Sequence, residues 1–341
     1  MKYKIGLLAI LLVYIGCLSE SIHAQNSGYV MTVNGKIAVD EMGKTLIHEH
    51  IVTNFDGTLH PNQPFEDREK AINLILPHLI HLKSLGYNTL FECTPSYIGK
   101  NVALLKELSD LSEINIITNT GYYAAVDKKY LPKSAYNKSA QSLAGRWYKE
   151  WKDGIADTGI RPGFIKLGVG KGELDDLEQK IFNAGMVLSK KTGMSVAVHT
   201  GDGTSIKSQY RLAEINNFDL NKLIWVHAQN GQDEERISMA EKGIWISLDG
   251  VSETRIEEYV KMIVVLREHN LLSKLLLSHD DGWAVAHNDG KLTLNQFANG
   301  NSSPYRTISE VLLTKLYEVG FTRKQMDLIF IENPKKALAI Y

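Results

Sequence analysis

From about Gly35 onward, short apolar runs alternate with longer stretches whose apolar residues recur at helical spacing. The runs are Thr45 to His48, Thr89 to Glu92, Asn115 to Thr118, Gly163 to Leu167, Ser195 to His199, Leu223 to His227, Gly243 to Leu248 and Lys274 to Asp280. Each is rich in Val, Ile or Leu, the composition of strands buried on both faces. Between them, Arg68 to Leu85, Leu104 to Leu111, Leu177 to Thr192 and Val251 to His269 carry the helical pattern. Eight strands in one unbroken βα alternation predict an α/β chain folded as a single (β/α)8 (TIM) barrel. A doubly wound open sheet would stop at about five or six strands and place a glycine-rich turn after the first, and no such turn follows Ile47. The polar stretch from Trp283 to Arg306 predicts an extended loop after the eighth strand.

The N-terminus stands apart from this pattern. Lys2 and Lys4 precede an apolar run from Ile5 to Gly16, and Ser21-Ile22-His23-Ala24 before Gln25 has the form of a cleavage site. The run is short for a membrane span. Residues 1–24 therefore read as an export signal cut after Ala24, leaving residues 25–341 as one barrel domain, periplasmic or secreted. Cys17 after Gly16 offers lipid attachment as the lesser alternative, because Tyr14 stands where such signals usually have Leu. Without the signal, Cys93 is the remaining cysteine, so no intrachain disulfide can form. It follows an apolar run and reads as a buried small hydrophobe rather than a nucleophile.

Charge is balanced, Lys+Arg 38 against Asp+Glu 39, which gives no electrostatic footprint for nucleic acid or an anionic membrane. A small-molecule partner is expected, and a homodimer is compatible with the sequence.

Active sites in such barrels sit at the C-terminal ends of the strands, so the residues standing there matter most. The first strand offers His48 and His50, the fourth carries Lys166 inside an apolar run, the fifth ends in His199, the sixth in His227 and the eighth in Asp280. In extended backbone, residues two apart share a face, so His48 and His50 can reach one ion, and imidazole is a common zinc ligand. Singly, each has a plain explanation: a hydrogen-bonded histidine, a lysine whose head snorkels to the barrel mouth, an aspartate capping a helix. Six such groups at the strand ends of one barrel are hard to explain that way together.

The ordered set resembles the phosphotriesterase-like branch of the amidohydrolase superfamily. Gly86-Tyr87-Asn88-Thr89, Asn119-Thr120-Gly121-Tyr122-Tyr123, Gly159 to Lys166 and Glu332-Asn333-Pro334 are similar to segments of that family, and the resemblance spans roughly Gly35 to Leu338. It implies a binuclear metal site on the C-terminal face. His48, His50 and Asp280 would hold the more buried ion, and His199 and His227 the more exposed one. Lys166, carboxylated by carbon dioxide, would bridge two divalent ions, zinc foremost, with manganese or cobalt as alternatives. A buried lysine has a lowered pKa, so its neutral amine can react. Two ions about 3.5–4 Å apart can share a hydroxide and clamp attacking and leaving oxygens. Asp280 would orient that hydroxide and carry its proton, and Tyr123 would donate a hydrogen bond to substrate or line its pocket. His279 and Glu49 are expected to face away from the ions, and His60, His78, His81, His269 and His287 to bind none.

Organophosphate-cleaving members often have a carboxylate shortly after the sixth-strand histidine and a histidine shortly after the seventh strand. This chain has Asn230 and Asp249-Gly250 there. Ser278 to Trp283 looks more like the lactonase-type and uncharacterised relatives, with Trp283 either an apolar wall for an acyl chain or part of the loop's own packing. The expected activity is therefore carboxylic ester or lactone hydrolysis with weak phosphotriesterase activity. An organophosphate phosphotriesterase, an amide hydrolase of the family, or a binding protein that kept the barrel are the alternatives. A mononuclear amidohydrolase would not need Lys166.

Overall fold

Every apolar run becomes a barrel strand in a computed structural model that describes residues 28–63, 67–288, 291–297 and 299–341. The export signal and Cys17 lie outside the described residues. In chain order the strands are β1 (Tyr29–Thr32), β2 (Gly35–Ala38), β3 (Lys44–Glu49), β4 (Val52–Thr53), β5 (Tyr87–Glu92), β6 (Asn115–Ile117) and β7 (Asn119–Thr120). They continue as β8 (Phe164–Val169), β9 (Val196–Thr200), β10 (Leu223–Val226), β11 (Trp245–Leu248), β12 (Leu275–Leu277), β13 (Gly282–Asn288) and β14 (Lys291–Phe297).

The barrel wall is built from two parallel arcs, β3-β5-β6 and β7 through β12. The third barrel strand, β6 and β7 on either side of Thr118, belongs to both. Closure comes between β12 and β3, where Asp280 N–H donates to the His48 carbonyl at 3.1 Å and His50 N–H to the Asp281 carbonyl at 2.8 Å. Helices such as Arg68–Ser84, Val102–Ser112, Asp176–Thr192 and Ile256–Glu268 cover the outside, close to the predicted spans. Their ends follow local chemistry. Asp175 and Glu178 form a capping box at the start of Asp176–Thr192, and Gly193 in left-handed conformation ends it.

Strand alternation divides the apolar side chains into two layers. Ile47, Phe91, Ile117, Phe164, Ala197, Ile224, Val226, Trp245 and Leu276 pack together inside the barrel. Leu46, Leu90, Ile116, Ile165, Leu167, Val198, Trp225, Ile246 and Leu277 face the helices. Lys166 is in phase with Phe164, and His199 with Ala197, so both point inward above the interior layer. Burying both layers is the main stabilising term, at about 25 cal/mol per Å² of apolar surface.

At the opposite end, Asn333 donates to the Leu272 and Leu275 carbonyls, both at 2.7 Å, and holds the start of the eighth barrel strand. Tyr29 and Ile340 exchange backbone hydrogen bonds of 2.9 and 2.8 Å, joining the described N-terminal residues to the chain end. No helix among the described residues is long and apolar enough to cross a membrane.

The expected loop from Trp283 to Arg306 is instead largely an antiparallel hairpin, β13 and β14. It docks in parallel on β4 through Trp283 opposite Val52 and Ala284 opposite Thr53. Polar residues mask a period-two pattern in which Trp283, Val285, Leu292 and Leu294 recur.

Gly121 permits a close passage of the chain. Its φ is +126°, and a Cβ there would stand 2.2 Å from the Lys166 carbonyl oxygen. Gly121→Ala is therefore expected to cost roughly 3 kcal/mol of stability, read as a lower urea midpoint at unchanged slope.

Candidate metal centre

The barrel brings all six predicted ligands to one cavity at its C-terminal mouth. His48, His50, Lys166, His199, His227 and Asp280 line a space of about 210 Å³ together with Thr53, Phe55, Cys93, Pro95, Ile98, Tyr123, Val126, Tyr130 and Phe297. The β3–β5 register is irregular between Leu46 and Glu49. The strict alternation breaks there, so His48 reaches the cavity directly after inward-facing Ile47. His227 and Asp280 follow their strands with φ of 62° and 58°. This left-handed backbone turns both side chains over the mouth instead of into helices.

Asp280 Oδ1 lies 3.2 Å from His48 Nε2 and 3.0 Å from His50 Nε2. His227 packs on His199 with ring centroids 4.4 Å apart and on His48 at 5.1 Å. The far sides of these rings are held. His50 Nδ1 meets the Thr94 hydroxyl at 2.9 Å. His227 Nδ1 donates to Asp249, whose carboxylate is fully buried and also accepts the Ser247 hydroxyl at 2.7 Å.

The electrostatics call for positive charge. Burial lowers the His48 pKa, but the Asp280 and Asp249 carboxylates outweigh it and lift the ring to about 9. Burial also pushes Asp280 up, yet the His48 charge and hydrogen bonds from His48 and His50 hold it far below the carboxylate range. His199 is driven well down by burial and by His227, so its lone pair stays available. Lys166, buried, has its ammonium pKa lowered by desolvation. His48, His50 and Asp280 offer ligand atoms within 4.8 Å of one another. Their closest approaches match the edge of a tetrahedral zinc shell, roughly 3.3 Å for bonds near 2.0 Å. The donor set therefore fits a divalent ion at these three residues. His199, His227 and Lys166 line the same cavity beside them.

Tyr123 faces His199, centroids 4.9 Å apart, and burial raises its pKa far above that of free phenol, so it stays protonated. Cys93 lines the cavity with its thiol pKa also raised by burial, in keeping with an inert small side chain. Glu49 and His279 turn away as expected. Glu49 accepts from Ser278 Oγ at 2.8 Å, His279 N at 2.9 Å, His279 Nδ1 at 2.8 Å and Asp281 N at 2.9 Å. His279 Nε2 takes the Ile308 N–H at 3.0 Å, so both ring nitrogens are occupied. His78 packs on Trp283 and His81 pairs with Glu310. His60, His269 and His287 are likewise absent from the cavity wall.

Of the two readings of Trp283, packing is the one the structure bears out. Trp283 is 2 % exposed, packs on His78 and Tyr305, and does not line the cavity. Its strand pairing with β4 turns the indole inward. The apolar wall comes from Phe55 and Phe297, edge to face at 5.6 Å, residues that sequence reading missed. It also missed Thr94, Tyr130 and the part played by Asp249, although Asp249 directly follows the seventh barrel strand. Asn230 is exposed outside the cavity, and Gly250, at φ +84°, has no side chain to offer the site.

Comparison with known proteins agrees with this geometry. The phosphotriesterase family model matches residues 28–338. The chain is 24% identical over 306 residues to a phosphotriesterase homology protein of Escherichia coli, covering 88% of this chain and 99% of that one. It is 23% identical over 357 residues to an N-acetyltaurine hydrolase of Mus musculus, covering 92% and 98%. Among solved structures, an organophosphorus hydrolase from Deinococcus radiodurans superimposes with a TM-score of 0.77 at 23% identity, covering 92% and 98%. A structure described as organophosphate hydrolysis activity engineered from a weak promiscuous lactonase template gives a TM-score of 0.79 at 24% identity, covering 91% and 99%.

The Glu49 network generates a stability prediction. Glu49→Gln places an amide donor against a ring of donors and is expected to cost roughly 3 kcal/mol, read as a lower melting temperature of the metal-free protein.

Proposed function

The chain belongs to the phosphotriesterase family, and we propose that it hydrolyses uncharged carboxylic esters or lactones, with phosphotriester cleavage as a weak side activity. The observation that carries this reading is the wall of the cavity. Apart from the candidate ligands, it consists of Thr53, Phe55, Cys93, Pro95, Ile98, Tyr123, Val126, Tyr130 and Phe297, and Lys166 is the single basic aliphatic side chain among the described lining residues. Away from the candidate ligands, this wall offers an anionic substituent no charged partner in return for its lost hydration. Lys129, beside Tyr130, is turned onto the Phe55 carbonyl at 2.6 Å. This argues against a sulfonated amide such as the substrate in the name of the N-acetyltaurine hydrolases.

His48, His50 and Asp280 would hold one ion, His199 and His227 the second, and Lys166 would stand between them as its carbamate. Zinc suits these donors best, with manganese or cobalt as alternatives. When bound, such a pair supplies Lewis acidity and lowers the pKa of water. The amine of Lys166, whose ammonium pKa burial lowers, would in its neutral form attack carbon dioxide through its lone pair and release one N–H proton. Asp280, held anionic by the charges around it, would accept the proton of the attacking water and return it to the leaving oxygen. Tyr123, kept protonated by burial, donates a hydrogen bond to an oxygen of the substrate. Phe55, Phe297, Ile98 and Val126 receive its apolar part and exclude water. Neither Asn230 nor Gly250 gives the cavity a second proton-carrying group, which is why phosphotriesters are placed second. Residues 1–24 support export of the mature chain.

Two measurements test the reading. The chain from Gln25 is expected to hold two divalent ions and to turn over lactones or aryl esters well above a phosphotriester. Preferential cleavage of an anionic amide would overturn the substrate class, and a metal-free, inactive protein after zinc or manganese addition would overturn the enzyme. Lys166→Ala is expected to lose metal and activity together and to regain part of both with a short carboxylate. Full activity of that variant would remove Lys166 from the bridge.

A further inference from the structure

Asp249 holds an unusual position for a residue with no place on the cavity wall. It directly follows β11, is fully buried, and stands between two imidazoles that come from opposite parts of the barrel. Its Oδ1 takes the Nδ1–H of His227 and a bond from Gln229 Nε2 at 3.2 Å. Its Oδ2 takes the Ser247 hydroxyl at 2.7 Å and lies 3.2 Å from His48 Nδ1. The His227 backbone N–H adds contacts of 3.1 and 3.2 Å to the two oxygens.

The two imidazoles are not held equally. The contact to His227 is a formed hydrogen bond, whereas His48 Nδ1 has the distance without the angle and counts among the buried atoms lacking a hydrogen-bond partner. One carboxylate is therefore committed to a donor of the expected second ion and nearly aligned with a donor of the first. His50 has a separate support in Thr94. Asp249 thus reaches a donor of each half from outside the cavity wall, beside the direct packing of His48 on His227.

We propose that Asp249 is a positioning residue that couples the two halves of the metal centre, so that both ions load as one unit. The inference rests on the binuclear reading given above. An ion taken by His48 Nε2 fixes that ring and brings its Nδ1–H onto Oδ2. The carboxylate, now held from both sides, fixes His227 with Nε2 toward the cavity. The ordering needed by the second ion has then been done by the first, which is positive coupling between sites. Asn in its place keeps one acceptor and turns the other into a donor, so it serves one imidazole and opposes the other.

The test is cobalt uptake by the metal-free mature chain, followed by visible absorption and calorimetry without substrate. Wild type is expected to take up two ions in a single step. Asp249→Asn is expected to separate the steps and weaken the second by roughly 10–100-fold; because the buried amide opposes one of the donors around it, the melting temperature of the metal-free protein also falls, and the spacing of the steps is the deciding readout. A residue that merely supported the fold would lower that temperature and leave the spacing of the steps alone. Ser247→Ala, which frees Oδ2 from one restraint, is expected to move the steps apart by a smaller factor and decides the matter if Asp249→Asn does not fold. Single-step uptake at wild-type affinity in Asp249→Asn, or in Ser247→Ala when the Asn variant does not fold, would overturn the coupling. Well-separated steps in wild type would do the same, and both results leave the hydrolase reading intact. A wild-type chain that takes up no ion would remove both.

Discussion

The barrel closes on a buried carboxylate. Glu49 ends the first barrel strand, has no exposure to solvent, and accepts four hydrogen bonds from the Ser278 to Asp281 segment that follows the eighth. An unpaired carboxylate at that depth would be very costly, whereas one surrounded by donors is a strong tie. Ser278 reinforces the seam by also accepting the His48 N–H at 3.0 Å. The candidate ligands flank this tie on both sides: His48 and His50 are the sequence neighbours of Glu49, and Asp280 lies between two residues that bond to it. A slip at the seam would separate His48 and His50 from Asp280, so the geometry of the mouth is inherited from the closure beneath it.

Around that seam, burial does most of the chemical tuning. Desolvation lowers the lysine, depresses His199 and raises Tyr123 and Cys93, while the two aspartates keep their charge because imidazoles surround them. The result is a set of metal-ligating side chains in a small chamber, where two buried carboxylates draw positive charge onto His48. Such a set is electrostatically incomplete without cations, which is the physical content of calling it a metal centre.

Much of this was readable in the sequence, and the reason is geometric. A barrel strand buried on both faces is a dense apolar run, and a polar residue inside or just after it is conspicuous, so Lys166, His199, His227 and Asp280 announced themselves. The H-x-H of β3 was found by spacing, although the structure breaks the simple alternation at that point. Asp249 was visible as a residue but its role was not, because its partner His48 is remote in the chain and no periodicity links them. The β13–β14 hairpin was missed because polar side chains diluted its alternation. With it went the positions of Phe297 and Trp283, which depend on pairing with β4 and on no local signal.

Among the described residues, the small sheet of β4, β13 and β14 shares no hydrogen-bonded ladder with the barrel wall. Phe55, just beyond β4, and Phe297, at the end of β14, shape the cavity from outside the strands that carry the ligands. Part of the cavity wall is thus mounted on a frame of its own, beside the barrel loops that supply Ile98 and Val126. A change in the length or side chains of the hairpin would reshape one side of the chamber while leaving the strands that carry the ligands in place.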